Sequence, residues 1–220
     1  MKYQRVVVTR HGGPEVLQTM EDDLPEPRAG EARVKVLAAG VSGHDLMDRR
    51  YSFPGGPPVP YTPGQDIVGV VDKLGEGVSA VQTGQEVAGF TFGDAGGYAE
   101  FICRPAGELV PIPSGLDPAE AVCVVVNYLT AHMVLHGTAK LRSGERVLVH
   151  GAAGGTGSAL LNLGRLPGLE MYGTASKYNH ELVSALGATP IDYRTEDFFE
   201  RIRNATAGGA DAVLDPIGGA

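Results

Sequence analysis

Val147-Leu148-Val149-His150-Gly151-Ala152-Ala153-Gly154-Gly155-Thr156-Gly157, followed by Ser158-Ala159-Leu160-Leu161, is the stretch on which the reading of this chain turns. The aliphatic run predicts a buried strand, the glycines a tight turn, and Ser-Ala-Leu-Leu the start of a helix. Strand, glycine turn and helix in that order are the context a dinucleotide fingerprint requires. Glycine lets backbone approach a pyrophosphate without a Cβ in the way, and the helix N-terminus offers unpaired N–H groups and partial positive charge. In the G-x-G-x-x-G register, Ala152, Gly154 and Gly157 take the three places, so the first is alanine instead of glycine.

Downstream, strands and helices alternate. Leu169–Thr174, Pro190–Asp192 and Asp211–Asp215 read as strands, with helices running to about Leu186 and over Asp197–Thr206 between them. Such alternation predicts a parallel sheet with right-handed crossovers. Upstream, Asp117-Pro118-Ala119-Glu120 is a helix start, an acid at the N-cap and proline at the first helical position, opening an apolar helix to about His136. Before it the chain reads as β-rich. Gln4–Thr9, Ala32–Ala38, Ile67–Leu74, Glu86–Phe92 and Tyr98–Arg104 are expected strands, separated by Pro- and Gly-rich loops, with one short helix at His44–Arg50. The class is therefore α/β with two domains, a barrel-like β domain over 1–120 and a dinucleotide-binding domain over 121–220.

The turn after the second strand reports on the ribose. A site specific for NAD places Asp or Glu about 20 residues after the glycines. Here Gly173-Thr174-Ala175-Ser176-Lys177-Tyr178 offers no acid before Glu181. A hydroxyl and a cation suit a 2′-phosphate; the alternative is that Lys177 is an ordinary solvated side chain.

Composition narrows the partners. The chain has 220 residues, a net charge of −8, 32 glycines and 15 prolines without a collagen period. A basic footprint for nucleic acid or anionic lipid is missing. Two cysteines, Cys103 and Cys123, cannot make a disulfide scaffold, and both read as inert buried thiols in a reduced, cytoplasmic setting. The longest aliphatic run, Ala121 to Val126, is far short of the roughly 20 residues of a membrane helix, so no span is expected.

Several ordered motifs resemble the medium-chain dehydrogenase/reductase superfamily: Gly12-Gly13-Pro14-Glu15-Val16-Leu17, Gly40-Val41, Pro63-Gly64, Gly69-Val70-Val71, Gly96-Gly97-Tyr98-Ala99-Glu100, Val126-Asn127-Tyr128-Leu129-Thr130-Ala131 and the Val147–Gly157 run. Within it they resemble the quinone oxidoreductases, including zeta-crystallin. Gly173-Thr174-Ala175-Ser176, Pro190-Ile191-Asp192-Tyr193 and Asp215-Pro216-Ile217-Gly218-Gly219 look closest to the vesicle amine transport protein homologues. The resemblance implies a GroES-like β domain and a Rossmann domain with NADPH as cofactor. It implies that Ala153, Gly154, Gly155, Thr156 and Gly157 face the pyrophosphate, that Ser176, Lys177 and Tyr193 surround the 2′-phosphate, and that Asn127 and Thr130 lie near the nicotinamide. It further implies that the chain ends after the fourth Rossmann strand while relatives continue, so that the sheet is cut short and a full-length form pairs as a homodimer.

Zinc members of the superfamily carry Cys after Gly-Val and His in Pro-Gly-His-Glu. Ser42 and Gln65, followed by Asp66, stand at those places, and Asn127 at that of the third ligand; no metal is expected there. His44, His132, His136 and His150 read as single packed or surface histidines. The quinone reductase pattern is itself altered, with Ser42 for asparagine and Phe53 for tyrosine at places that line the substrate cleft in relatives. The reading that results is an NADPH-dependent, zinc-independent reductase of quinones or α,β-unsaturated carbonyls, with Ser42 and Asn127 as candidate donors to the developing oxyanion. An enoyl-thioester reductase and a non-catalytic NADPH-binding protein remain as alternatives, and a zinc alcohol dehydrogenase is more distant.

Overall fold

A computed structural model describes residues 1–51, 55–91, 96–206 and 208–218. Phe53, the Gly93-Asp94-Ala95 loop and the final Gly219-Ala220 lie outside the described residues. The chain forms two compact units, Met1–Val126 and Asn127–Ala220. Where the sequence placed the division at 120/121, the units meet between Val126 and Asn127.

The first unit is β-rich. β1 (Lys2–Val8) pairs antiparallel with β2 (Leu17–Asp23) as a two-stranded ribbon. A five-stranded antiparallel sheet follows in the order β6-β3-β4-β5-β7, built from β3 (Glu31–Ala39), β4 (Asp66–Leu74), β5 (Glu86–Phe90), β6 (Phe101–Pro105) and β7 (Leu109–Pro111). Register shifts at Arg33/Val34 and Val36/Ala38 bend β3, as extra residues in one strand of a pair do. The sheet closes over Val34, Ile67, Val71, Val81, Val87 and Leu109. β2 escaped the sequence reading because it buries almost nothing: six of its seven residues are exposed, so no apolar alternation marks it. β7 is only three residues long.

α1 (Gly43–Arg50) opens on a capping box. The Ser42 hydroxyl accepts from the Asp45 N–H (3.3 Å), and the Asp45 carboxylate takes back the Ser42 N–H (2.8 Å) and hydroxyl (2.7 Å). The other Asp45 oxygen accepts the N–H of Gly64 at 3.0 Å, tying the helix to the Pro63-Gly64 turn. Ser42→Ala is therefore expected to lower the stability of this unit by about 1 kcal/mol, read as an earlier denaturant midpoint. An unchanged midpoint would show that the cap contributes nothing.

α2 (Pro118–His132) begins as its sequence announces, with Asp117 Oδ1 accepting from Ala119 N (2.9 Å) and Glu120 N (3.0 Å). It continues as a π-helical turn over Met133–Thr138. Together they make a 21-residue helix, Pro118–Thr138, long and apolar enough by length and composition to cross a bilayer. Counting unbroken aliphatic residues missed this, because Asn127, Thr130 and His132 interrupt the run. Ala131 and Leu135 nevertheless sit in the core of the second unit.

That unit is a four-stranded parallel sheet in the order β10-β9-β8-β11: β8 (Arg146–Val149), β9 (Glu170–Ala175), β10 (Thr189–Asp192) and β11 (Ala212–Leu214). Helices α3 (Gly155–Gly164), α4 (His180–Ala185) and α5 (Phe198–Thr206) connect them. Counted from β8, the order is 3-2-1-4, the Rossmann arrangement, whose switch point lies between β8 and β11. Both cysteines were read as buried; Cys123 is exposed on α2, whereas Cys103 is half-buried in β6 with its thiol pushed up to about 11 by burial. Apolar helix composition does not fix which face a residue takes. A thiol-reactive chromogen should label one thiol per chain quickly, and Cys123→Ser should abolish that phase. Fast labelling that survives the substitution would refute the assignment.

Candidate active site

The site starts from the backbone at the end of β8. Gly151 turns at φ +59°, and its carbonyl accepts the N–H of Gly154 at 2.9 Å. Gly154 is the N-cap of α3, with no side chain to cap it, and its carbonyl takes the Ser158 N–H at 2.8 Å. The N–H groups of Gly155, Thr156 and Gly157 precede the first intrahelical bond and point out of the helix end. A Cβ on Gly157 would come within 2.2 Å of the Gly151 carbonyl oxygen, so this glycine lets the helix lie directly on the turn.

Alanine at the first fingerprint place is accommodated by β9. A Cβ built on Gly173 would stand 2.5 Å from the Ala152 Cβ, so the bare Gly173 leaves the room that Ala152 fills. Ala152 is fully buried, and its N–H reaches the Thr174 carbonyl at 3.0 Å.

Asn127 packs on the first turn of α3. Its Oδ1 accepts from the Thr156 hydroxyl at 3.3 Å, and a Cβ on Gly155 would meet that oxygen at 2.8 Å. Gly155 is thus needed for Asn127 to lie where it does, and Asn127 holds the helix end that offers its amides.

These elements border a cleft of about 660 Å³ at the carboxyl ends of the strands. Of the residues expected to bind a cofactor, Ala153, Gly154, Ser176 and Tyr193 line it. Gly155, Thr156 and Gly157 form the helix turn behind Gly154. Lys177 is exposed on the 3-10 turn Lys177–Asn179 and does not line the cleft; Thr130 is exposed on α2 and does not line it either.

The cleft adds groups the sequence reading did not assign. Asn179 lines it one turn after Ser176, its amide 3.5 Å from the Ser176 hydroxyl. His150, read as a packed or surface histidine, lines it with Nδ1 3.1 Å from the Thr174 hydroxyl and its ring edge-on to Phe198 at 4.9 Å. Asp215 folds its carboxylate back onto the N–H groups of Ile217 (2.9 Å) and Gly218 (3.1 Å). Arg194 holds its guanidinium over the Tyr193 ring, 5.6 Å from the centroid, so the cation next to the lining tyrosine is an arginine. Its place directly after Tyr193 was the available signal.

The remaining expected site residue, Ser42, lies in the first unit as the α1 N-cap, its hydroxyl engaged with Asp45. Gln65 and Asp66, at the places of a zinc ligand and its neighbour, are both buried, and burial raises the Asp66 carboxyl above its usual range. Among the described residues no group of three or more His, Cys, Asp or Glu is close enough to hold a metal ion.

Residues 28–114 match the alcohol dehydrogenase GroES-like domain family. The chain is 38% identical over 218 residues to the synaptic vesicle membrane protein VAT-1 homolog of Rattus norvegicus, covering 97% of this chain and 54% of the relative. The structure of the quinone oxidoreductase from Coxiella burnetii superposes with a TM-score of 0.92 at 30% identity, over 100% of this chain and 70% of the other. That of Escherichia coli quinone oxidoreductase complexed with NADPH gives 0.88 at 29% identity, over 93% and 63%. The chain thus spans about half the length of the VAT-1 homolog it matches.

Proposed function

Because the chain belongs to the medium-chain dehydrogenase/reductase superfamily, in its quinone oxidoreductase branch near the VAT-1 homologues, we propose that it serves an NADPH-dependent, zinc-independent reductase of quinones or α,β-unsaturated carbonyls. The observation that carries the reading is the cleft itself: a helix end whose cap position has no side chain, opening at the switch point of a parallel sheet.

The residues fit a dinucleotide. The amides at the start of α3 would hold the pyrophosphate, and a Cβ at Gly154 would take up the space it approaches. Ser176 and Tyr193 would accept the ribose 2′-phosphate, with Arg194 and Lys177 as the flanking cations. Asp192 does not oppose this, since its carboxylate accepts the N–H of Arg194 at 3.1 Å within its own loop. When bound, NADPH supplies the hydride. Asn127 positions the helix end, and Ser42 is the donor proposed for the developing oxyanion.

NADPH should bind more tightly than NADH, by roughly 10- to 150-fold for one charge-assisted hydrogen bond to the 2′-phosphate. Equal affinities in a fluorescence titration would sink the 2′-phosphate assignment. Arg194→Ala should erase more of that preference than Lys177→Ala and leave NADH affinity unchanged, because Arg194 is stacked on a lining residue and Lys177 is not. The reverse order would return the role to Lys177.

One observation favours a non-catalytic NADPH-binding protein instead: the Ser42 hydroxyl already donates to Asp45. NADPH oxidation assayed against quinones, enones and enoyl thioesters separates the readings. Turnover of quinones or enones supports the reductase, turnover of enoyl thioesters alone redirects its substrate class, and tight NADPH binding with no turnover of any acceptor supports the binding protein.

A further inference from the structure

The chain contains six histidines. Four have a ring nitrogen engaged: His11 with the Asp48 carbonyl (3.0 Å), His44 with the Asp48 carboxylate (3.5 Å), His150 with the Thr174 hydroxyl (3.1 Å) and His180 with the Ala175 carbonyl (3.3 Å). The rings of His132 and His136 make no hydrogen bond or ion pair to any described residue. They face each other instead, centroids 4.7 Å apart and planes tilted by 55°.

The helix dictates this pairing. Ala131 and Leu135, four residues apart, are buried in the core. Residues four apart stand one above the other on a helix, so the next position in each turn sets His132 and His136 together on the exposed side. The backbone there departs from the α form: Ala139 N–H reaches the Val134 carbonyl at 2.8 Å, the longer spacing of a π turn, within Met133–Thr138. Single π turns recur at functional sites. The sequence reading carried the helix to about His136 yet treated each histidine as solitary, leaving unused the four-residue spacing that sets the two on one helix face.

Two imidazoles side by side, with ring nitrogens that bond to none of the described residues, are borderline-soft donors that suit Cu(II), Ni(II) and Zn(II). We propose that His132 and His136 form a two-imidazole chelate for a divalent late transition-metal ion, Cu(II) above Ni(II) and Zn(II), with water completing the coordination. The site uses residues of the second unit alone, lies outside the dinucleotide cleft, and involves neither Ser42 nor Gln65.

The test is calorimetric titration of the chelator-stripped chain with Ni(II) and Cu(II) at neutral pH. One ion per chain is expected to bind. Each single substitution, His132→Ala or His136→Ala, should weaken binding by roughly tenfold or more, the loss of one arm of a chelate; the double variant should lose the saturable phase. Ni(II) should raise the melting temperature of the wild type and not of the double variant, and Cu(II) paramagnetic resonance should show two nitrogen donors. Both rings are exposed, so the variants should fold; His132→Gln with His136→Gln serves if the alanine forms aggregate. Saturable binding that persists undiminished in the double variant places the metal elsewhere and overturns the proposal, as does a wild type that shows no saturable binding.

Discussion

Gly154→Val is expected to leave the second unit folded and to weaken NADPH binding by roughly a hundredfold, the equivalent of losing two charge-assisted hydrogen bonds at the lower end of their range. The folding half of this expectation comes from the backbone. Gly154 sits at φ −78° and ψ 171°, an extended conformation that β-branched residues adopt readily, and among the described residues the one atom within 4 Å of an added Cβ is the Gly151 carbonyl oxygen at 3.2 Å. The binding half comes from position: the new side chain would project where the helix-end amides must meet an anion. Gly157→Val is the contrasting variant. Its Cβ would lie 2.2 Å from a backbone oxygen, so the turn itself must shift and the unit should unfold before any ligand is added. Circular dichroism with NADPH titration distinguishes the two. A folded Gly154→Val chain with wild-type NADPH affinity would reduce the glycine cluster to a structural turn, and the proposed function would lose its main support.

The residues differ in how much they disclosed in advance. The turn from Gly151 to Gly157 was legible because its signal is local: an apolar run, small residues and a helix start must follow one another in sequence to do so in space. The start of α2 was legible for the same reason, since Asp117 and Pro118 act on the next three residues. Ser176 was legible from its spacing after the glycines, whereas Tyr193 was reached only through resemblance, because it depends on where a strand ends beside another strand far away in sequence. Arg194 and Asn179 stayed hidden because neighbours in sequence differ in direction: Tyr193 and Asn179 line the cleft, Lys177 does not, and Arg194 enters by stacking. The Ser42 hydroxyl shows the reverse. The alternative it lacked at first, an N-cap with Asp45 three residues on, is a sequence signature in its own right, masked by the comparison with metal-binding relatives.

The pairing of Ala152 with Gly173 gives the other large expected effect. A fingerprint that begins with alanine is weaker by pattern, yet the structure accepts it because the facing strand position has no Cβ. Gly173→Ala should therefore be destabilising by about 1–3 kcal/mol, the usual range for forcing a methyl group into a packed interior. The new carbon would lie 2.5 Å from the Ala152 Cβ and 3.1 Å from Val183 Cγ1, with Leu161 Cδ1 at 3.8 Å closing the remaining side. Since Ala152, Val183 and Leu161 are all fully buried, none can swing into solvent to relieve the contact. The argument also fixes the sign of a rescue. Ala152→Gly in the Gly173→Ala background moves the methyl group from the turn to the strand while holding the number of carbons constant, and only the 3.1 Å contact with Val183 remains to be eased. The double variant should recover more than half of the lost stability, and the two substitutions should be non-additive as residues in direct contact are. Denaturant melts of the four proteins in this cycle measure the coupling. Strict additivity would mean that Gly173 is required by Val183 or by the strand itself, and that the alanine in the fingerprint is tolerated for a reason other than the space β9 leaves for it.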